Sequence, residues 1–294
     1  MGISKNDLLL ENKKLESTID IVRKQISTLS TDLYDKETKL KEFQKMMWDN
    51  KAELDPAEMK TLRTSNDLEV FFLEQKAKKF KKLYSIQNKP YFARIDFKTN
   101  ETEDKIYIGI TNVEEDLNYY VYDWRSPICS MFYDYGVGQA NYKSPDGIVE
   151  GEITLKRQYQ INNGKLDNVF DTTINIDDEV LQSVLKENSS EHMKNIVNTI
   201  QQEQNIVIRD DKTNNLIVQG IAGSGKTSVA LHRIAYLLYK LEYLTSNNVL
   251  IFSPNNIFKE YIGNVLPELG EDNTLITTFH EFASTYIKEY YRVE

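Results

Sequence analysis

The sequence predicts an α+β protein of several domains: an N-terminal antiparallel coiled-coil hairpin, a β-rich module, and part of an α/β domain. Three observations predict this order. A heptad repeat of apolar residues runs along the first helical pattern, short β-type runs fill the middle of the chain, and a glycine-rich loop near residue 220 precedes a further helical pattern. We expect the domains to span residues 1–88, 89–177 and 178–294.

The first helix is predicted from Asn6 to Trp48, because apolar residues recur along it in alternating steps of four and three. No glycine or proline interrupts this stretch. The seam consists of Leu8, Asn12, Leu15, Ile19, Val22, Ile26, Leu29, Leu33, Lys36, Leu40, Phe43 and Met47. Lys- and Glu-rich flanks on both sides of the seam are typical of a coiled coil.

A second helix is predicted from Pro56 to about Leu83. Asp55 is suited to cap its N-terminus, Pro56 to occupy its first turn, and Glu58 to complete a capping box. Two helices joined by so short a connection are expected to fold back on each other as an antiparallel hairpin, or arm. Homodimerisation through the heptad seam is the alternative.

Four acidic residues surround the predicted turn between these helices: Asp49, Glu53, Asp55 and Glu58. Solubility and favourable negative charge at a helix N-terminus explain Asp55 and Glu58 without any further role. A functional role for this acidic tip is the other interpretation.

Short runs rich in aromatic and β-branched residues predict a compact, mainly antiparallel β module after the arm. The predicted strands are Tyr91–Phe97, Lys105–Ile110, Tyr119–Tyr122, Ile128–Tyr133, Glu152–Ile161 and Val169–Asp171. Turn dipeptides such as Asn163-Gly164 separate them. The segment from Asp123 to Pro127 is unusual, and a buried Trp124 beside an Arg125–Asp123 pair would explain it. No catalytic constellation is evident in the module.

The glycine-rich loop fits the phosphate-loop pattern G-x-x-x-x-G-K-[ST]. Its residues are Gly220, Ile221, Ala222, Gly223, Ser224, Gly225, Lys226 and Thr227. The apolar run Leu216–Val218 predicts a buried parallel strand before the loop, and the apolar spacing from Val229 to Leu241 predicts a helix after it. In such a loop, backbone N–H groups and the start of the helix hold the phosphates of a nucleotide. We therefore predict ATP and Mg²⁺ as cofactors, with Lys226 at the β- and γ-phosphates and the Thr227 hydroxyl on the metal.

The remainder of the chain reads as the opening of a parallel α/β domain. The predicted helices run through Leu185 and over Met193–Ile208, Ile257–Val265 and Glu281–Tyr290, and the predicted strands are Val249–Phe252 and Leu275–Thr277. The acidic run within Ile174–Glu179 resembles a metal-binding strand end. It precedes the phosphate loop, however, and leads into a helical pattern, so we interpret it as an acidic helix start.

Composition and charge narrow the class of protein. The formal net charge of −9 argues against general binding of polyanions. With one cysteine, Cys129, the chain has neither a disulfide framework nor a cysteine zinc site. No signal peptide and no stretch of transmembrane length is present, so a cytoplasmic, membrane-free protein is expected.

The last domain contains four short motifs: Ile200–Gln204, Gly223–Arg233, Phe252–Asn255 and Thr278–His280. In this order they resemble the Q-motif, GSGKT-x-x-x-x-HR, motif Ia and the T-x-H motif of superfamily 1 helicases of the UvrD/Rep type. The resemblance implies a RecA-like 1A domain. It also implies that Gln204 reads adenine and that a single DNA strand binds near Ser253, Asn255, Thr278 and His280. Most such helicases have arginine after the GKT, where this chain has Ser228.

The long helical hairpin is followed by four characteristic segments: YFARIDF, DWRSPICSMFYD, GEITLKRQYQI and TIQQEQNIVIR. Together these features give the N-terminal half a resemblance to the HelD-type helicase-like ATPases that bind bacterial RNA polymerase. It implies that the arm of residues 1–88 enters the polymerase secondary channel, with the acidic tip toward the active centre. It further implies an ATPase linked to releasing or recycling polymerase. The capped turn between the two arm helices favours an intramolecular hairpin, so we expect a monomer.

Two elements of an ATPase have no counterpart after the phosphate loop: a Walker B Asp-Glu pair and a second RecA-like domain with its arginine finger. We therefore expect the chain to be the N-terminal part of a longer protein and to be inactive as an ATPase on its own. Two alternatives stay open. One is a UvrD-like 3′–5′ DNA helicase, and the other is a non-catalytic polymerase-interaction module with vestigial nucleotide binding.

Overall fold

The computed structural model describes residues 4–51, 54–171 and 200–290. Its helices are α1 (Lys5–Asp49), α2 (Pro56–Ile86), α3 (Ser130–Asp134), α4 (Gln202–Arg209), α5 (Lys226–Lys240), α6 (Asn256–Glu268) and α7 (Phe279–Tyr290). Its strands are β1 (Ala93–Lys98), β2 (Glu103–Gly109), β3 (Val113–Glu115), β4 (Asn118–Asp123), β5 (Gly138–Ser144), β6 (Gly147–Asn162), β7 (Lys165–Asp171), β8 (Leu250–Ser253) and β9 (Leu275–Thr278). None of the helices in these ranges combines the length and apolar character needed to cross a membrane.

The chain divides into two compact units. One consists of Met1–Phe92, Thr111–Val121 and Tyr159–Val169. The other consists of Ala93–Ile110, Tyr122–Gln158 and Phe170–Glu294.

The two long predicted helices are confirmed as α1 and α2. Gln44 donates to Asn66 across the pair at 2.9 Å, and Lys76 forms an ion pair with Asp32. Residue numbers thus rise along one helix as they fall along the other, which makes the pair antiparallel. From Asn12 to Met47 the seam positions of α1 are buried or half-buried, whereas Leu8 is exposed. The regular coiled-coil geometry of the arm stays a prediction.

The turn into α2 has the predicted chemistry. The Asp55 carboxylate accepts hydrogen bonds from the N–H groups of Ala57 (2.7 Å) and Glu58 (2.8 Å). The Glu58 carboxylate in turn accepts from the Asp55 N–H at 3.3 Å, which completes the capping box. Three N–H groups without a helical partner are thereby satisfied at the start of α2.

The base of the arm is its buried part. Leu15, Ile19 and Val22 of α1 and Leu83 and Ile86 of α2 are all buried. The β3–β4 hairpin lies beside α1, where Lys24 forms an ion pair with Glu115 and Gln25 donates to the Glu114 carbonyl at 2.7 Å. In the distal part of the arm, residues 26–80, no described residue is buried.

The β-rich module is a mixed sheet with the strand order β3-β4-β2-β1-β6-β5, and β7 lies beside β6. Most neighbouring pairs are antiparallel, as predicted, and the end of β4 runs parallel to β2. Strands β3 and β5 were not predicted. The Asn163-Gly164 turn is confirmed, since both residues adopt positive φ angles (49° and 76°) between β6 and β7.

The predicted strand Ile128–Tyr133 is wrong, because the segment forms a turn and the short helix α3. The N–H of Cys129 donates to the Ser126 carbonyl and that of Ser130 to the Pro127 carbonyl. The periodicity of a short apolar run does not distinguish a buried strand from a buried helix. Here the hydrogen bonds close locally after Pro127, so the chain coils instead of pairing.

The predicted strand Leu216–Val218 is also wrong. The segment has no regular secondary structure, and Ile217 is 93% exposed. A buried parallel strand exists only through neighbours on both sides. Within the described ranges the parallel strands of this domain are β8 and β9, and they pair with each other. The strands β8 and β9 and the helices α5, α6 and α7 all agree with their predicted positions to within a few residues.

Candidate nucleotide-binding site

The loop from Gly220 to Thr227 has the backbone shape of a phosphate cradle. Gly223 and Gly225 adopt left-handed φ angles of 82° and 78°, which residues with a Cβ rarely adopt. Helix α5 begins immediately afterwards at Lys226, with Gly225 as its N-cap. The first N–H groups of α5 therefore lack helical partners and carry the positive end of the helix dipole toward the loop.

Lys226 lies back over its own loop. Its ammonium donates to the carbonyl oxygens of Gly220 (2.9 Å) and Ile221 (2.7 Å). The loop itself is exposed to solvent, and Thr227, in the first turn of α5, is exposed as well. A positive group is thus held within the loop by carbonyls that can release it to a stronger acceptor such as a phosphate.

Gln204 is brought next to this loop, as the Q-motif resemblance implies. Its side-chain amide nitrogen donates to the Ser224 carbonyl at 3.4 Å, and its side-chain oxygen accepts from the Gln201 N–H at 3.1 Å. A Cβ added to Gly225 would lie 3.3 Å from the Gln204 amide nitrogen. The glycine therefore permits the close approach of α4 to the loop.

Ser228 lies one turn before His232 in α5, and its hydroxyl oxygen is 3.3 Å from the Nδ1 atom of His232. The Nδ1–H of His232 donates to the Ser228 carbonyl at 2.7 Å, and the imidazole stands edge-on to the Trp124 ring at 5.6 Å. Burial lowers the pKa of His232 to about 4, so the imidazole is neutral at physiological pH. The neighbouring Arg233 points elsewhere and donates to the Val207 carbonyl of α4 at 2.6 Å.

The four residues assigned to a DNA strand lie at one edge of the small parallel sheet. Ser253 pairs with Thr278 at the carboxyl ends of β8 and β9. Asn255 caps α6 by accepting from the Phe258 N–H (2.8 Å), and Thr278 accepts from the Glu281 N–H (3.2 Å). His280 is exposed at the start of α7. Helix capping thus accounts for Asn255 and Thr278 in this structure, and their contact with DNA stays a prediction.

The structure describes three of the four residues of the acidic arm tip. Asp49 ends α1 and is exposed, whereas the carboxylates of Asp55 and Glu58 form the capping box of α2. Glu53 lies outside the described residues, as does the acidic run Ile174–Glu179.

The loop residues fit the phosphates of a nucleotide, and the Thr227 hydroxyl offers one oxygen ligand to a metal. In the ranges 4–51, 54–171 and 200–290, His, Cys, Asp and Glu form no group of three that could hold a metal ion. Among the described residues, the Thr227 hydroxyl would therefore contact a bound Mg²⁺, and phosphate oxygens of the nucleotide would supply further ligands.

Asn205 and Arg209 hold α4 in place and were not singled out from the sequence, whereas Arg233, which contacts α4 from α5, ends the GSGKT-x-x-x-x-HR match. Arg209 donates to the carbonyl oxygens of Trp124 and Arg125, and Asn205 donates to Asp134. These acceptors lie 71 or more positions earlier in the chain, so no local pattern indicates the contacts. The run QNIVIR, a short helical pattern that ends in arginine, is the local signal that marks α4, and α4 overlaps the end of the helix predicted over Met193–Ile208.

Two known protein families match this chain, one in its N-terminal part and one in the part that contains the phosphate loop. Residues 9–192, more than half of the chain, match the family described as DNA helicase IV HelD, N-terminal domain. The chain belongs to the HelD family. Residues 199–293 match the UvrD/REP helicase N-terminal domain, so the phosphate loop lies in the UvrD-like part of this HelD-family chain. The resemblance stated from the residues is thereby confirmed.

The HelD-family chain also has curated relatives. Over 90 residues it is similar to the ATP-dependent DNA helicase PcrA from two strains of Staphylococcus epidermidis, with 38% identity in each. These residues are 30% of the present chain and 12% of each PcrA. The chain therefore spans a small part of the length of those relatives.

Proposed function

We propose that this chain is the N-terminal part of an ATP-binding, helicase-like protein that engages bacterial RNA polymerase with its arm and uses ATP to release or recycle the polymerase. The observation that carries the nucleotide part is the loop Gly220–Thr227, with two left-handed glycines opening directly into α5. Gln204 beside this loop supports adenine as the base.

The residues of the loop have distinct tasks in nucleotide binding. The N–H groups at the start of α5 bind phosphate oxygens, and Lys226 leaves the carbonyls of Gly220 and Ile221 to pair with the β- and γ-phosphates. Thr227 directs its hydroxyl to Mg²⁺, which neutralises phosphate charge when bound. Gln204 exchanges its contact with Ser224 for the edge of the adenine ring.

A matched pair of lysine variants tests the nucleotide site. Lys226→Ala removes the charge partner of the phosphates and should weaken ATP–Mg²⁺ binding in calorimetry by at least tenfold, equivalent to about 1.4 kcal/mol. Lys240→Ala removes the same charge at the opposite end of α5, where Lys240 pairs with Asp211, and should leave binding unchanged. Equal ATP affinity of all three proteins would refute the phosphate-loop assignment.

The dimensions and burial of the arm support a role in binding a partner. Helix α1 has 45 residues and α2 has 31. In the distal part of the arm, the large apolar side chains of Trp48 (74% exposed), Phe71 and Phe72 face solvent. Burial is concentrated at the base. The distal part of the arm therefore adds little to the core of the chain, which fits an element that reaches into another molecule.

An internal deletion tests this part of the proposal. Residues 31–77 are replaced by a short Gly/Ser turn, which retains the base contacts of Lys24, Gln25, Leu83 and Ile86. The shortened chain should keep its ATP affinity and lose its association with purified bacterial RNA polymerase in a pull-down. Retained association would contradict the assignment of the arm to polymerase.

The tip is tested separately by isosteric neutralisation. Asp49→Asn, Glu53→Gln, Asp55→Asn and Glu58→Gln are combined, because Asn and Gln preserve the capping geometry of α2 while removing the charge. If the tip acts in the polymerase, transcription by the bound complex should change while binding persists. An unchanged transcription assay would assign the acidic residues to solubility and helix capping.

A UvrD-like 3′–5′ DNA helicase is the second candidate function, favoured by the match of residues 199–293 and the similarity to PcrA. Ser253 and Thr278, adjacent at the edge of the sheet, would contact a single DNA strand in this case. Fluorescence anisotropy with a labelled oligonucleotide distinguishes the two functions. Binding that His280→Ala weakens would favour the DNA helicase, and absence of binding would favour the polymerase-directed function.

A further inference from the structure

Helix α4, which carries Gln204, rests on the β module through the guanidinium of Arg209. One terminal nitrogen of Arg209 donates to the Trp124 carbonyl at 2.7 Å, and the other donates to the carbonyls of Arg125 (2.9 Å) and Ser126 (3.3 Å). Its Nε donates to the side-chain oxygen of Asn205 at 3.0 Å. All three nitrogens of this guanidinium are therefore engaged.

A second anchor comes from Asn205, the residue next to Gln204. Asn205 is buried, and its amide donates to the carboxylate of Asp134 in α3 at 2.7 Å. Successive residues of a helix project about 100° apart. Asn205 therefore faces the β module while Gln204 faces the phosphate loop, and the position of one fixes the position of the other.

The opposite side of α4 is held by the phosphate-loop helix. Arg233 of α5 donates to the Val207 carbonyl at 2.6 Å, and Gln204 contacts the Ser224 carbonyl at 3.4 Å. Helix α4 has only eight residues, so its few intrahelical hydrogen bonds alone cannot hold it rigid. Its orientation is set by Arg209 and Asn205 on one side and by Arg233 on the other.

We propose that Arg209 is a positioning residue for nucleobase recognition: by seating α4 on the Trp124–Ser126 turn, it aims Gln204 at adenine. The proposal rests on the proposed nucleotide function and deepens it. It assigns a role to the Asp123–Pro127 segment, which supplies the carbonyl acceptors for a helix of the nucleotide site. Bidentate recognition by a glutamine amide depends on orientation, so a small displacement of α4 lowers base selectivity before it abolishes phosphate binding.

Lysine cannot replace Arg209 in this role. The planar guanidinium presents donors in a fixed fork that reaches three carbonyls and Asn205 together. An ammonium keeps the charge but is a compact donor group on a flexible chain, so it cannot hold the same four acceptors in place. Arg209→Lys thus retains the charge and approximate size of the side chain but removes the hydrogen bonds that orient α4.

The test measures the ratio of ATP to GTP affinity by displacement of a fluorescent adenine nucleotide from the 294-residue chain. Wild type should prefer ATP by roughly 5- to 150-fold, the range expected for one bidentate base contact. Arg209→Lys should reduce this ratio at least threefold while the affinity for inorganic triphosphate stays within twofold of wild type. Arg63→Lys, the same exchange at an exposed position of α2, should change neither quantity.

A second variant reaches the anchor from the β module without altering α4. Asp134→Ala removes the acceptor of Asn205 and should lower the ATP/GTP ratio in the same direction. An unchanged ratio in both variants, or an equal loss of affinity for ATP, GTP and triphosphate, would overturn the positioning role. Failure of the proposed function itself would look different: wild type would show no base preference, and Lys226→Ala would bind ATP as well as wild type does.

Discussion

At the scale of single residues, the buried side chains of Trp124, Arg125 and His232 stabilise the second unit. Arg125 is buried and pairs with Asp123 through two hydrogen bonds of 2.8 and 2.6 Å, and it forms a further ion pair with Glu271. Burial alone would lower the pKa of Arg125, but the two carboxylates outweigh it and raise the pKa. The predicted buried tryptophan beside an Arg–Asp pair is thus confirmed, and the pair also joins strand β4 to the segment after α6.

Removing one charge from this cluster should be costly. Arg125→Met leaves the buried carboxylate of Asp123 without its partner, and we expect the free energy of unfolding of the second unit to fall by about 3–5 kcal/mol. The double variant Arg125→Met with Asp123→Asn should be less destabilised than the sum of the two single variants. Arg63→Met on the exposed arm serves as the control, and urea unfolding followed by Trp124 fluorescence in a Trp48→Phe background gives the measurement. Additive single effects would show that the two charges do not stabilise each other.

His232 should make the second unit sensitive to mild acid. Its folded pKa of about 4 lies below the ordinary value of 6.5, so the unfolded chain takes up the proton first as the pH falls. The contribution of the neutral imidazole is complete above about pH 6.5 and is lost as the pH falls toward 4. Between pH 7.5 and 5.0 the loss is on the order of 2 kcal/mol for this group. His232→Phe should reduce the change in urea midpoint between these pH values, and an identical change in both proteins would contradict the prediction.

At the scale of elements, local chemistry decides where α2 begins. The Asp55 cap satisfies N–H groups that water would otherwise have to solvate, and such a cap is worth about 1 kcal/mol. Asp55→Ala should therefore speed hydrogen exchange in the first turn of α2 by roughly fivefold, measured by mass spectrometry on peptides covering residues 56–62. Asp20→Ala, on the exposed face of α1, is the control. Unchanged exchange in the first turn would mean that packing, rather than the cap, holds the start of α2.

At the scale of the whole molecule, we predict that this chain binds ATP without hydrolysing it at an appreciable rate. A Walker B carboxylate and an arginine finger both contribute to phosphoryl transfer, and an arginine finger alone is worth about 10³–10⁵ in rate. The described residues offer Lys226 and Thr227 at the loop and no group of three His, Cys, Asp or Glu side chains that could hold a metal ion. A malachite-green phosphate assay should show no release above background. Turnover of roughly 1 s⁻¹ that Lys226→Ala abolishes would show that a complete site exists within these 294 residues.

Elements whose causes are local could be predicted from the sequence alone. The seam of α1, the capping box at Asp55, the Asn163-Gly164 turn and the glycine loop before α5 each depend on residues within a few positions of one another. Their spacing reports directly on helix period, cap geometry or left-handed backbone. The phosphate loop could therefore be assigned to its residues, and the family recognised, before any tertiary contact was known.

Which segments pair and which polar groups meet depends on long-range contacts that the sequence does not display. Ile128–Tyr133 and Leu216–Val218 have the composition of strands, yet pairing is a property of neighbours, and neither segment has them in the described structure. The position of α4 likewise depends on hydrogen bonds from Arg209 to carbonyl groups more than 80 positions earlier in the chain. Because these acceptors are backbone groups, no residue type in the sequence indicates them. Local residues thus specify the phosphate loop, whereas long-range hydrogen bonds set how Gln204 faces it.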